Sequence, residues 1–323
     1  MRPNRRTALR LAAGAFGVAA LPAAAADFQR LKGRRIVLAE SYGVGSISHL
    51  PLTLMHAAIA ARTGASVSIV TVSGDGGAAA LEYACNPPNA PADSVFFYVG
   101  GLTTLLLRKA SGMKVPLLEK VQPVGKISAG VSSALIVSDK SPLHSIDDFI
   151  AEGRRRPIRL ATFGRLAPFG LELTMLERQL ELAFTEKPIT TRAEILAALA
   201  AGDAEASFLI THTVVAAPRV VPPPVRALLT FGAQRNPRAP DVPTLAEKAG
   251  DPKQAVTGSV LMFTSTANAA LVDAMVALLS AAAADPAVKQ AAEDFNFPLE
   301  ITPASYVYEE GRRFERIVRE NPR

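Results

Sequence analysis

One cysteine, no tryptophan and four histidines are all that 323 residues offer of the side chains that build disulfides, indole walls and metal centres. With Cys85 alone no internal disulfide can form, whatever the redox state of the compartment, and the expected role of that thiol is a small buried apolar group. His49, His56, His144 and His212 are not paired at metal-ligand spacing, and no G-x-S-x-G elbow supplies a hydrolase nucleophile. An enzyme is therefore not expected. The loop "GVGSIS" lacks the Lys-Ser/Thr end of a P-loop, and "GDGGAA" departs from G-x-G-x-x-G after its second glycine, so no nucleotide cofactor is expected either. After residue 26 no uncharged apolar run reaches the roughly 20 residues needed to span a bilayer.

The formal charge of +6 does not point to nucleic acid, because Arg2, Arg5, Arg6 and Arg10 all fall in the first 26 residues, which contain no acid. That segment reads as an export signal: a basic "MRPNRRTALR", an apolar "LAAGAFGVAALP" and small residues before Asp27. Cleavage is expected between Ala26 and Asp27. "RRTALR" resembles a twin-arginine signal, and an ordinary signal with a chance arginine pair is the alternative. With 49% hydrophobic residues the mature chain has enough apolar surface for a large core, and its length suits two domains.

Strand, glycine loop and helix alternate three times. "RRIVLAE" leads to "SYGVGS" and the helical "SISHLPLTLMHAAIAART", with serines placed to cap it; "SVSIVTV" leads to "SGDGG" and "AAALEYA"; "SVFFYVG" leads to "LTTLLLRKAS". This order argues for a parallel sheet with covering helices. A second set starts near "PVGKISAGVSSALIVSD", with a helix capped by Ser145, a strand "IRLATFG", the helix "FGLELTMLERQLELA", and a helix stopped at Gly202. The proline-rich stretch from "APRVVPPP" to "TLAEKAG" is expected to be an irregular connection. The last helix is expected to take Thr302 as cap and Pro303 in its first turn.

The segment "RNPRAPDVPTLAEKAG" resembles the R-S-P-x-x-P-D-V-P-T-x-x-E-x-G signature of the tripartite tricarboxylate transporter substrate-binding proteins, the Bug receptors. "IVLAESYGVG", "GDGG", "PVGKI", "IVSDKSPLHSIDDFIAEGRRRPIRLATFG" and "LAAGDAEASF" follow the order of that family's other motifs. The resemblance implies a type II periplasmic-binding-protein fold, two α/β lobes with a ligand cleft between them. Lobe 1 would comprise 27–129 plus 256–323, and lobe 2 would comprise 130–255. It also implies a monomeric periplasmic receptor that captures a small organic acid for membrane transporter subunits. A sensor that presents the same ligand to a membrane kinase, and less so an enzyme on the same fold, are the alternatives.

Helix N-termini suit a carboxylate, because their first amides lack partners and the peptide dipoles place partial positive charge there. The first candidate loop is Ser41, Tyr42, Gly43, Val44, Gly45, Ser46 and Ser48; the second is Gly74, Asp75, Gly76 and Gly77. On lobe 2 the candidates are Thr162, Phe163, Gly164, Arg165 and Leu166, then Thr190 and Thr191, with Glu205 at the position of the family's acid. Tyr42 and Phe163 are the expected apolar contacts. Arg165 is expected to take a carboxylate through two parallel hydrogen bonds. Glu40 stands where the family favours proline and Asp75 replaces a small residue, two acids that disfavour a citrate-like polyanion. His49, just beyond the first loop, is read as a helix-surface residue before a ligand donor.

Overall fold

The computed structural model describes residues 28–44, 46–101, 103–112, 120–128, 130–215, 223–250 and 256–321. The expected signal segment and Gly45 lie outside them. In chain order the strands are β1 (Arg35–Glu40), β2 (Ser66–Thr71), β3 (Ser94–Gly100), β4 (Gln122–Ser128), β5 (Val131–Ser138), β6 (Ile158–Thr162), β7 (Phe184–Pro188), β8 (Ser207–Ile210), β9 (Val225–Thr230), β10 (Thr257–Gly258), β11 (Leu261–Thr264) and β12 (Leu299–Pro303). The helices are α1 (His49–Thr63), α2 (Ala78–Cys85), α3 (Thr103–Ala110), α4 (Ile146–Gly153), α5 (Gly170–Gln179), α6 (Arg192–Ala201), α7 (Thr211–Val214), α8 (Leu245–Ala249), α9 (Ala269–Ala283), α10 (Pro286–Asp294) and α11 (Ala304–Glu320).

Six strands form one sheet in the order β12-β4-β11-β3-β1-β2. β2, β1 and β3 run parallel, as the strand–loop–helix alternation requires. The sheet as a whole is mixed, because β11 returns from the other half of the molecule and inserts antiparallel between β3 and β4. The second half is built on β5, which pairs antiparallel with β8, β9 and β10. β6 and β7 pair in parallel beside it, joined to the start of β8 by a bridge between Leu160 and Ala206. Leu38, Met55, Phe97 and Met275 are fully buried on the first sheet's side, and Ile136, Ile158 and Leu160 on the second's.

The helix ends follow local chemistry. Ser145 accepts from the N–H of Asp148, whose side chain in turn accepts from the Ser145 N–H, a reciprocal cap at the head of α4. Gly202 ends α6 in a left-handed conformation, φ 76°. Three expectations change. The proline-rich connection contains β9, since "VRALLT" follows the prolines and adds its edge to β5, and it also contains α8, capped by Thr244. Thr302 and Pro303 end β12, and the last helix begins at Ala304. Ser48 does not cap α1; the N–H of His49 donates to Ser46 Oγ instead, at 3.1 Å.

Cys85 is half-buried against the apolar core, and burial, helped by Glu82, pushes its pKa up to about 11, so the thiol stays protonated. Among the described residues no single helix is long and apolar enough to cross a membrane.

Candidate functional site

The chain passes between the halves from Ser128, the end of β4, to Val131, the start of β5, and again through Ser259–Val260, which join β10 to β11. The two crossings are bonded to each other. Ile127 N–H donates to the Val260 carbonyl at 2.7 Å, Val260 N–H donates to Ser128 Oγ at 2.9 Å, and Val131 pairs with Gly258. Beside this ribbon lies a cavity of about 120 Å³ walled by both halves. Tyr42, Gly76, Tyr98, Thr103 and Thr104 come from the first; Ser133, Pro168, Phe169, Glu172 and Ile210 come from the second; Val256 and Gly258 to Val260 close it along the crossing strand. An apolar cavity of about 150 Å³ takes a benzene ring, so the space suits a ligand with a handful of heavy atoms.

The glycine turn before α2 forms part of this wall. Gly74, Gly76 and Gly77 have φ of 129°, 58° and 104°, values open to glycine and to few other residues. The reason is close approach. A Cβ on Gly76 would lie 2.5 Å from Thr104 Cγ2, 2.8 Å from Arg108 Nε and 3.1 Å from the Leu166 carbonyl, and a Cβ on Gly77 would lie 2.8 Å from the Tyr98 hydroxyl. The turn thus meets the second half directly, and Arg108 Nε donates to the Leu166 carbonyl across the gap at 3.2 Å. A second bridge joins Asn296 Nδ2 to the Val215 carbonyl at 2.7 Å, with the Phe297 and His212 rings edge to face at 5.8 Å. Asp75 belongs to the short helical turn Asp75–Gly77.

The first loop holds its own acid. Glu40 ends β1 with no exposed surface, and its carboxylate accepts from Tyr42 N–H at 2.8 Å, Gly43 N–H at 2.9 and 3.1 Å, Ser48 Oγ at 3.2 Å, Ser46 Oγ at 3.4 Å and the Thr71 hydroxyl. His49 Nδ1 adds a contact at 3.3 Å. Burial works to raise the Glu40 pKa, but the hydrogen bonds from Thr71, Tyr42, His49 and Gly43 outweigh it, and the net shift is downward. The amides and hydroxyls that suit an external carboxylate are thus already engaged. Val44 is 91% exposed, and Ser41 is buried with its Oγ unpartnered. Tyr42 alone of this loop's described candidates lines the cavity. Burial pushes its pKa up to about 12, against Thr104 and Arg108, which pull it down.

On the second half, the guanidinium expected to grip a ligand is paired with the protein's own acids. Arg165 Nη1 and Nη2 donate to Glu177 at 2.7 and 2.6 Å, and Nε donates to Glu186 at 2.7 Å. Thr162 is buried and its Oγ1 accepts from Gly164 N–H at 3.0 Å, while Phe163 packs against Phe169 at 6.3 Å between centroids. Leu166 offers its carbonyl to Arg108. Thr190 donates to Glu194, and Thr191 caps α6. Glu205 accepts from Arg156 at 2.6 and 2.9 Å and from Arg159 N–H at 3.1 Å, beside the start of β6. Of the described candidate residues, Tyr42 and Gly76 are the two that line the cavity.

Glu172, Tyr98, Thr103, Thr104, Ser133 and Ser259 line it without having been anticipated. One signal was available for Glu172: in "FGLELTML" it is the single charge in an otherwise apolar and hydroxyl run, which marks an acid facing inward. Among the described residues no group of three His, Cys, Asp or Glu side chains stands at metal-binding distances.

Residues 112–319 match the family model described as the tripartite tricarboxylate transporter family receptor. A Cupriavidus necator protein described as the UPF0065 protein in gbd 5′ region is 26% identical over 251 residues, 75% of this chain and 72% of its own length. MatC of Rhodopseudomonas palustris, solved with bound malate, superposes with a TM-score of 0.72 at 23% identity, over 88% of this chain and 98% of that one. Another R. palustris protein, solved with adipate, gives 0.72 at 19% identity, over 88% and 96% of the two chains. These likenesses show the two-lobed α/β fold of periplasmic binding proteins.

Proposed function

The chain belongs to the tripartite tricarboxylate transporter receptor family, and from that premise we propose that it is a periplasmic receptor that closes on a small organic acid and delivers it to the membrane subunits of such a transporter. The cavity shared by both lobes beside the crossing strands carries this reading, since a ligand held there contacts both halves and favours their closed arrangement. Its walls supply hydroxyl donors from Tyr42, Thr103, Thr104 and Ser259, which suit carboxylate oxygens. Malate and adipate, the ligands of two structural neighbours, set the class to test first. A compact acid fits about 120 Å³ better than a citrate-like one. The proposed contacts are Tyr42 and the turn at Gly76, with Thr103 and Thr104 behind them. The leading 26 residues serve in this reading as the cleaved export signal, with 27–129 plus 256–323 as one lobe and 130–255 as the other.

The test is a thermal-shift screen of the mature protein against monocarboxylates, dicarboxylates, amino acids and sugars. A ligand that binds only the folded state raises the midpoint by mass action. A response confined to carboxylates is expected; a response only to sugars, or to none of the compounds, would refute the reading.

A further inference from the structure

Among the described residues lining the cavity, Glu172 is the one that carries a carboxyl group, and it is 6% exposed. It sits in the first turn of α5. Oε1 accepts from Ser133 Oγ on β5 at 2.8 Å, while Oε2 is buried and has no hydrogen-bond partner. A native structure rarely leaves such an atom unmatched, and when it does the atom commonly awaits a ligand or a proton.

Among the described residues no Lys, Arg or His lines the cavity. The titratable groups facing Glu172 there are Tyr42 and Tyr98, phenols whose pKa burial pushes upward, so both remain neutral hydroxyls. From α3 comes Arg108, bonded to the Leu166 carbonyl; along α5, Glu177 is paired with Arg165; behind the crossing strand, Glu310 accepts from Ser259 N–H at 3.1 Å. From β5 there is only the Ser133 hydroxyl. An ionised Glu172 would have no adjacent counter-charge, the least favourable state for a buried acid. Burial accordingly raises its pKa, against the smaller pulls of Ser133 and of its own backbone N–H. Because Oε1 already accepts from Ser133, the proton belongs on Oε2, the oxygen left without a partner.

We propose that Glu172 meets the solute as a neutral carboxylic acid, donating its Oε2 proton in a hydrogen bond to a carboxylate of the ligand. The inference rests on the reading of the cleft as a carboxylate site, and adds that capture requires the protonated acid. An O–H donor facing an ionised oxygen makes a short, strong hydrogen bond. A ligand ammonium would need the opposite state, an ionised Glu172, and the two cases separate in one experiment.

The mature protein, Glu172→Gln and Glu172→Leu are titrated calorimetrically with acetate, succinate, malate and adipate from roughly pH 6.5 to 9, where the acids themselves stay ionised and a raised carboxyl pKa can still be crossed. Glutamine retains a donor, so Glu172→Gln is expected to bind within about threefold of wild type, whereas Glu172→Leu weakens binding roughly 10- to 100-fold, the scale of a hydrogen bond to a charged group. Wild-type affinity is level on the acid side and falls by up to about tenfold per pH unit above the pKa of Glu172, while Glu172→Gln stays level. Glutamine and leucine losing binding alike, or affinity rising with pH, would overturn the proposal while leaving the carboxylate reading intact. A wild-type protein that binds none of the four acids overturns both. The wild-type pH profile stands even where a variant melts early.

Discussion

The backbone N–H of Gly43 donates to both oxygens of Glu40, at 2.9 and 3.1 Å, so the first glycine loop is wrapped around a carboxylate from its own strand. Removing that acid leaves buried donors facing one another. Glu40→Ala is expected to lower unfolding stability by about 3 kcal/mol, as several charge-assisted hydrogen bonds lose their acceptor. Urea denaturation at neutral pH measures this. The Glu40 pKa is lowered by folding from 4.5, so its contribution is fully present above that value and is lost as pH falls through the folded pKa. Glu40→Gln should therefore show a shallower acid-side decline than wild type.

His212 is 7% exposed and edge-on to Phe297, and burial, with a smaller push from Arg192, lowers its pKa from 6.5 to about 4. The unfolded chain takes up this proton more readily than the folded one. Stability is thus full above pH 6.5 and is lost as pH falls toward about 4, a swing on the order of 3 kcal/mol. His212→Phe is expected to flatten stability across that window. An unchanged slope in denaturant titrations at a series of pH values would contradict the assignment.

Gly76 packs where Thr104, Arg108 and the Leu166 carbonyl converge, at φ 58°. Gly76→Ala forces a methyl group into the contact between the lobes, so the closed arrangement is disfavoured while each lobe keeps its core. Ligand affinity is expected to drop by roughly tenfold or more through the lost population of the competent state. Small-angle scattering of the ligand-saturated variant should give a larger radius of gyration than wild type.

Arg165 spends its donors on Glu177 and Glu186, with 36% of its side chain exposed. Arg165→Ala is expected to leave ligand affinity unchanged and to lower stability by about 1 kcal/mol, the upper range for an exposed ion pair. Calorimetric titration beside a thermal melt separates the two effects. A large loss of affinity would restore the arginine to the site.

The parallel β2-β1-β3 unit was legible because each strand is a short β-branched or apolar run followed by a glycine loop and a periodic helix. β9 was hidden by its prolines, and the antiparallel insertion of β11 by sequence distance, since nothing in "LMFT" names a partner more than 130 residues upstream, at Gln122 to Lys126. The turn at Gly76 could be read because positive φ selects glycine strongly. The partners of Arg165 and Glu40 could not. A charged side chain's role depends on which opposite charges or donors the fold brings within about 3 Å, and local pattern carries no record of that. Glu172 shows the converse: an acid inside an apolar helix face is visible in sequence, yet only the cavity tells what it faces.

β11 is flanked in the first sheet by β3 on one side and β4 on the other. Those two strands have no edge-to-edge pairing of their own, so the sheet stays split until residues 261–264 arrive. A chain made from its N-terminus therefore completes the β5-centred half before it can finish the half it began with, and the inner edge of β3 waits longest for its neighbour. Unpaired strand edges held open for that interval are sticky, and this gives a holding chaperone a physical reason to act on this chain.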